Sequence, residues 1–226
     1  MRINFDDYAR EYERLASQQT KLFDSDHSYF ACYKVELMKR IACRAPDAVL
    51  DFGCGIGRST NPLRSAFSGA RIVGCDLSSE SLAKAREDAP DSEFVSPNDI
   101  QPGPYFDLIF ASCVFHHIPP DERQNWLRYC LERLKPGGQI FVFEHNPYNP
   151  VTRHLVTTCP FDSDAILLTR WETAYRLLKA GFQISRAGYC LFFPNFLRAL
   201  RPLEPALGWL PLGGQYFVAG STRVIS

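Results

Sequence analysis

A strand-like run, Val49-Leu-Asp-Phe52, leads straight into Gly53-Cys-Gly-Ile-Gly57 and then Arg58, so three glycines fall on alternate positions where the strand ends. Glycine lacks the Cβ that keeps other backbones at a distance, and such a loop lets main chain come within contact of a bound molecule. Two acids accompany it: Asp51, two positions before the first glycine, and Asp76, which ends the next apolar run, Arg71-Ile-Val-Gly-Cys75. Three imidazoles follow later runs, His116 and His117 after Phe106-Asp-Leu-Ile-Phe-Ala111, and His145 after Gln139-Ile-Phe-Val-Phe-Glu144. Histidine titrates near neutrality and can take a proton from a hydroxyl. A dinucleotide GxGxxG fingerprint is absent, because its third glycine falls on Arg58 when counted from Gly53 and on Thr60 when counted from Gly55. The eight cysteines (32, 43, 54, 75, 113, 130, 159 and 190) contain no CxxC pair, which removes zinc-ribbon and thioredoxin-like chemistry.

The elements that must position these residues alternate along the chain. Short apolar runs at 48–52, 71–75, 93–95, 106–111 and 139–144 predict buried strands, and amphipathic stretches near 58–67, 79–88 and 121–134 predict helices between them. Strand, helix, strand in repetition is the pattern of a parallel sheet covered on both faces. Lys135-Pro-Gly-Gly138 predicts a helix stop and a turn into the fifth strand. Before this core, residues 3–44 carry aromatics in helical spacing and predict two helices joined near Asp24 to His27. After it, residues 145–169 predict an irregular insert with at most short helices, 170–180 a helix ended by Gly181, and 182–190 and 214–222 two more strands joined by a long apolar excursion. One domain is expected, with a helical cap (1–44), a ligand-binding core (45–144) and a substrate-side remainder (145–226).

Composition narrows the class. The 226 residues are 46% hydrophobic and 22% charged, with 25 basic side chains against 25 acidic ones, so no overall field favours nucleic acid or an anionic membrane. No apolar run approaches the roughly 18 residues of a membrane span. The N-terminal MRINFDDYAREYERL lacks the apolar stretch of a signal peptide, and a cytoplasmic protein with reduced thiols is expected.

With its motifs in this order the chain resembles the class I S-adenosylmethionine-dependent methyltransferases, over roughly residues 45 to 145. The resemblance implies a Rossmann-like α/β fold whose seven-stranded sheet is mainly parallel, with the last strand antiparallel and helices on both faces. It implies S-adenosylmethionine as cofactor and S-adenosylhomocysteine as product. Carried onto this sequence, Asp51, Gly53, Gly55 and Gly57 cradle the methionine part. Asp76 holds the ribose hydroxyls, as a carboxylate can accept two charge-assisted bonds from a vicinal diol, and Leu77 packs on the adenine. Asp99 and Ile100 lie near the adenine amino group, and Ser112 and Cys113 line the methionine portion.

Methyl transfer from a sulfonium is a direct displacement, so alignment and exclusion of water matter most and a base is optional. His145, in the polar cluster Glu144-His-Asn-Pro-Tyr-Asn-Pro150, is the preferred base, with His116 and His117 as alternatives. The Asn/Asp-Pro-Pro-aromatic motif of nucleic-acid amino-methyltransferases is missing, the Pro-Cys of cytosine-C5 enzymes is missing, and Ser112 stands where catechol enzymes place a metal-binding acid, so no metal is implied. Phe5, Tyr8, Tyr12, Tyr29 and Phe30 suggest an aromatic lid similar to that of quinone-biosynthesis relatives. His145 and Tyr148 join them on the acceptor side, and Leu191-Phe-Phe-Pro-Asn-Phe-Leu197, Leu203, Leu207, Trp209 and Leu210 form a second apolar segment. The expected acceptor is a small, largely apolar molecule, methylated on oxygen in preference to nitrogen or carbon; no nucleic-acid partner is expected, and peripheral membrane contact and the oligomeric state stay open. The rivals are a protein or RNA methyltransferase, a noncatalytic cofactor-binding subunit, and a rearrangement in which the sulfonium acts without methyl transfer.

Overall fold

The computed structural model describes residues 3–8 and 29–223. Its strands are β1 (Ala48–Phe52), β2 (Arg71–Cys75), β3 (Glu93–Val95), β4 (Phe106–Ser112), β5 (Leu134–His145), β6 (Gln183–Cys190) and β7 (Gln215–Ser221). They form one sheet in the order β3-β2-β1-β4-β5-β7-β6. The pairs within β1 to β5 are parallel, and β7 runs antiparallel between β5 and β6. The expected fold class is therefore the observed one.

Alternation of side chains along each strand sends Leu50, Phe52, Ile109, Ala111, Ile140 and Val142 into one core and Val49, Leu108, Phe110, Phe141 and Phe143 into the other. Helices Arg123–Arg133 and Arg170–Ala180 cover the first face, and Tyr29–Ile41 and Thr60–Ala66 the second. Burial on both faces is why these strands read as continuous apolar runs rather than alternating ones. Local signals fix the helix ends: Ser78 Oγ accepts from Ser81 N (3.0 Å) to start Ser79–Asp88, and Gly181, at φ 112°, closes Arg170–Ala180.

Three expectations are refined. Lys135-Pro-Gly-Gly138 is a bulge inside β5 rather than a turn before it, since Leu134 already pairs with Phe106 and Gln139 with Leu108. The bulge is held by Asp107, whose carboxylate accepts from Lys135 Nζ (2.8 Å), Asp47 N (3.0 Å) and Ala48 N (3.1 Å). Among the described residues the N-terminal region shows the helix Tyr29–Ile41 and the 3-10 turn Phe5–Asp7, capped by Asn4; Tyr12, with most of the first expected helix, and the expected joint at Asp24 to His27 lie outside the described residues. The insert holds a nine-residue helix, Pro150–Thr158, capped by Asn149 with proline in its first turn.

The chain runs outward from β1 to β2 and β3, then returns past β1 to β4. Adjacent strands whose connections leave in opposite directions open a crevice at their carboxyl ends, which is where ligands bind in such sheets.

Candidate active site

At that crevice lies a cavity of about 450 Å³, within the roughly 300 to 1,000 Å³ usual for ligand pockets. The glycine loop forms its floor. Gly53 takes φ 69°, and a Cβ there would lie 2.5 Å from Val114, so only glycine fits between the two strand ends. Gly55 takes φ 53° with open space where a Cβ would stand, and its N–H donates to Asp76 Oδ2 (2.9 Å). The other oxygen of Asp76 accepts from Ser78 N (2.9 Å), so this one carboxylate sets the loop and the start of the following helix together. Gly57 faces away from the cavity, where a Cβ would press on Ala85 and Phe94.

Asp51 is buried in β1, and its Oδ2 has no hydrogen-bond partner among the described residues. Burial, reinforced by the neighbouring Asp76 and opposed by Lys34, pushes its carboxyl up to about 8. Lys34 reaches in from the helix Tyr29–Ile41, donating to Ser112 Oγ (2.7 Å) beside Cys113 Sγ (3.7 Å). Cys113 holds φ 60°, a strained position for a side-chain-bearing residue. Burial would raise its thiol, but the Lys34 ammonium and His145 hold it down at about 6.

Phe5, Phe30, Val114, Ile118 and Trp126 make the apolar remainder of the wall, with His117 and Asp164 among them. The turn Phe5–Asp7 is strapped across the opening at both ends, by Ser78 Oγ donating to Asp6 Oδ1 (2.6 Å) and by Ile3 N donating to Asp164 Oδ2 (2.8 Å).

Residues 50–140 match the family described as a methyltransferase domain. Over 109 residues the chain is 34% identical to a trans-aconitate 2-methyltransferase of Rhodopseudomonas palustris, a stretch covering 47% of this chain and 42% of that one. It thus spans less than half the length of that relative. Among solved structures, a S-adenosylmethionine-dependent methyltransferase from Archaeoglobus fulgidus has the same fold, with a TM-score of 0.70 at 15% identity, covering 93% of this chain and 100% of the other. The chain has the fold of the class I S-adenosylmethionine-dependent methyltransferases, and its residues 50–140 are similar to a methyltransferase domain. A Burkholderia thailandensis N1-methyltransferase, solved with 1,6-didemethyltoxoflavin and S-adenosylhomocysteine bound, also shares the fold (TM-score 0.63, 17% identity, 97% and 87% covered).

The cavity fits S-adenosylmethionine on its own evidence. An unpartnered carboxylate oxygen on Asp51 and a buried ammonium on Lys34 line one wall, the complement of an α-amino acid zwitterion. Of the cofactor residues expected from sequence, Asp51, Gly53, Gly55, Asp76, Leu77, Ser112 and Cys113 line the cavity. Asp99 and Ile100 do not. The 3-10 turn Pro97–Asp99, capped by Ser96, turns Pro97 into the cavity and leaves Asp99 and Ile100 on a separate shallow depression beside β3.

On the acceptor side, Phe5 and Phe30 are in the wall and the other expectations that the described residues reach are corrected, His117 excepted. Phe30 and Lys34, four residues apart, share the cavity face of their helix, whereas Tyr29 turns toward Tyr33 and Arg201. Tyr8 packs on Cys159 and Phe161. Tyr148 is 59% exposed, because Asn146 Nδ2 ties its turn to the carbonyls of Pro211 and Gly213. His145 stands behind Cys113 against its cross-strand neighbour Gln215, with Nδ1 3.5 Å from Gln215 Nε2. His116 is fully buried with Nδ1 2.5 Å from Glu144 Oε2, so it is not a base for the acceptor; of the three histidines only His117 lines the cavity. The apolar segment 191–210 contributes nothing to this wall. Its anchor is Glu204, which accepts from the backbone N–H groups of Leu191, Phe192 and Phe193.

Lys34, Ile118 and Trp126 were missed from sequence. Lys34 had a signal: it lies four residues before Met38, on the core-facing side of an amphipathic helix, where a cation needs a reason.

Proposed function

We propose that the protein transfers a methyl group from S-adenosylmethionine to an oxygen of a small, largely apolar acceptor. The observation that carries this reading is the division of one covered cavity into a charged half, around Asp51, Lys34 and Asp76, and an aromatic half, around Phe5, Phe30 and Trp126. When bound, the cofactor supplies an electrophilic methyl group on a sulfonium. Asp51 accepts from its ammonium and Lys34 donates to its carboxylate, while Asp76 accepts from the ribose diol and Leu77 flanks the adenine. The aromatic half excludes water and aligns the acceptor, which is the main service a displacement needs. A cavity strapped over by residues 3–8 suits a small molecule better than a protein or RNA segment. The names of the relatives, which concern trans-aconitate and 1,6-didemethyltoxoflavin, support a small-molecule acceptor.

The test is incubation of the full chain with methyl-labelled S-adenosylmethionine and, in separate reactions, apolar phenols and carboxylic acids, amines, total RNA and total protein. Label extracted into organic solvent with the oxygen acceptors, together with S-adenosylhomocysteine, is the expected result. Label entering RNA or protein, or consumption of an acceptor without S-adenosylhomocysteine, overturns the reading.

A pH effect follows from Asp51. With its carboxyl near 8 in the free protein, the group is mostly protonated at pH 6.5 and must ionise to pair with the cofactor's ammonium. Binding therefore releases a proton, and affinity rises with pH, by up to about tenfold per unit, until the ammonium itself titrates near 8. The groups facing Asp51 are Asp76 from β2 and Lys34 from the helix Tyr29–Ile41. Calorimetric titrations at pH 6.5 in buffers of different ionisation enthalpy should show release approaching one proton, and the effect should vanish in Asp51→Asn.

A further inference from the structure

Two short turns that are distant in sequence meet beside the cavity. His116 and His117 form the 3-10 turn after β4, and Asp162 ends the 3-10 turn Pro160–Asp162 of the insert. Both Nε2 atoms converge on a single oxygen, Asp162 Oδ1, at 3.6 Å from His116 and 3.3 Å from His117. One ligand atom from each of the three residues lies within 4.8 Å of the others. Neither separation is a good hydrogen bond, which would need about 2.7 to 3.2 Å. Both are close to the separation of about 3.4 Å between two donors held 2.1 Å from one tetrahedral ion.

The surroundings point the same way. His116 Nδ1 is bound to Glu144 Oε2 at 2.5 Å, both side chains are 1% exposed, and Glu144 Oε1 is fixed in turn by the N–H groups of Val114 and Phe115. That carboxylate fixes the ring and leaves Nε2 facing Asp162, the arrangement that orients metal-bound imidazoles. His116 Nε2, His117 Nδ1 and Asp164 Oδ1 are buried without hydrogen-bond partners among the described residues, and the first of these faces the convergence point. His117 lines the cavity.

We propose that His116, His117 and Asp162 bind a first-row divalent cation of the zinc type, with Glu144 as the outer carboxylate that positions His116. Two imidazoles and one carboxylate select such an ion over magnesium or calcium, which take oxygen ligands. Three protein ligands leave a fourth position, and on the His117 side it opens to the acceptor half of the cavity, where water or an acceptor oxygen can occupy it. Binding of the ion is independent of methyl transfer, so either can hold without the other.

The experiment is equilibrium dialysis of the chelator-stripped full chain against Zn2+, with the same protein reconstituted with Co2+ for visible spectroscopy. One equivalent of Zn2+ is expected to remain bound, and the Co2+ form should show the intense visible bands of a low-coordinate nitrogen and oxygen site. Asp162→Asn and His117→Ala should each weaken binding by at least about tenfold, and Glu144→Gln by about tenfold to a hundredfold. Zinc not retained by the wild type, retained equally by Asp162→Asn, or a thiolate-to-cobalt band that places the ion on a cysteine, overturns the site. If a variant fails to fold, the wild-type cobalt spectrum still decides. Calorimetry of S-adenosylmethionine on the stripped protein tests the cofactor reading separately.

Discussion

Replacing Asp76 with alanine is expected to lower the affinity for S-adenosylmethionine by about 3 kcal/mol, a little over a hundredfold. The sequence alone suggests a ligand-binding acid; the structure gives it a second task. One oxygen accepts from Gly55 N and the other from Ser78 N, both at 2.9 Å. In the proposed role its loss would remove the charged acceptor for the ribose, and it also frees the loop whose open side at Gly55 forms the floor. Each charge-assisted bond is worth about 1.5 to 3 kcal/mol, and two effects in one residue explain the size. Asp76→Asn should recover less than half of the loss, because an amide presents only one acceptor and turns a donor toward one of two N–H groups. Isothermal titration of wild type and both variants measures this; a loss below about tenfold in Asp76→Ala would remove the residue from the ribose role.

Glu144→Ala should destabilise the fold by about 3 to 5 kcal/mol, the usual cost of removing one partner of a buried ion pair. Its carboxylate, 1% exposed, accepts from Val114 N (3.1 Å), Phe115 N (2.7 Å) and His116 Nδ1 (2.5 Å). Burial would push it up the pH scale, but the His116 ring bonded to it holds it below the usual range. Without it, two backbone donors and an imidazole lose their partner at a buried position. Urea unfolding at pH 7, followed by circular dichroism, should show the midpoint fall, with Glu144→Gln intermediate because it keeps one acceptor oxygen. A shift under about 1 kcal/mol would mean that the turn Phe115–His117 is held by packing alone.

The two residues differ in how visible they were. Asp76 announces itself, because an acid at the end of a predicted strand one unit after a glycine loop has few structural reasons to be there. Glu144 reads as an ordinary strand end, and only the approach of β4 to β5, with Ser112 opposite Phe143, brings it to the turn that carries His116.

The histidines show the limit most directly. His145 is the expected base because it stands where the fifth strand ends at the ligand edge, yet as the last residue of β5 it pairs with Gln215, and that cross-strand contact holds it behind Cys113. Position along a strand is a sequence property, whereas the direction a side chain takes beyond the strand is set by its neighbours. The same distinction explains Asp99, which a capped 3-10 turn leaves outside the cavity, and Tyr29, one residue from Phe30 and therefore about 100° around the same helix.

What the amino-acid sequence determined by itself is the order of strands and helices and the glycine loop with Asp51 and Asp76; the full fold and the cofactor came through the family that these motifs resemble. These are local facts: apolar period, capping residues and the need for glycine at positive φ act within a few residues and survive without knowledge of the rest of the chain. The tertiary structure alone decided that Lys34, from a helix preceding the sheet, completes the charged wall, and that the apolar segment 191–210 stays out of it. It alone joined Asp162 to His116 and His117, which stand 46 and 45 positions earlier in the chain. Such meetings depend on how separate elements pack onto one edge of the sheet, and neither the spacing of the residues nor their type contains that information.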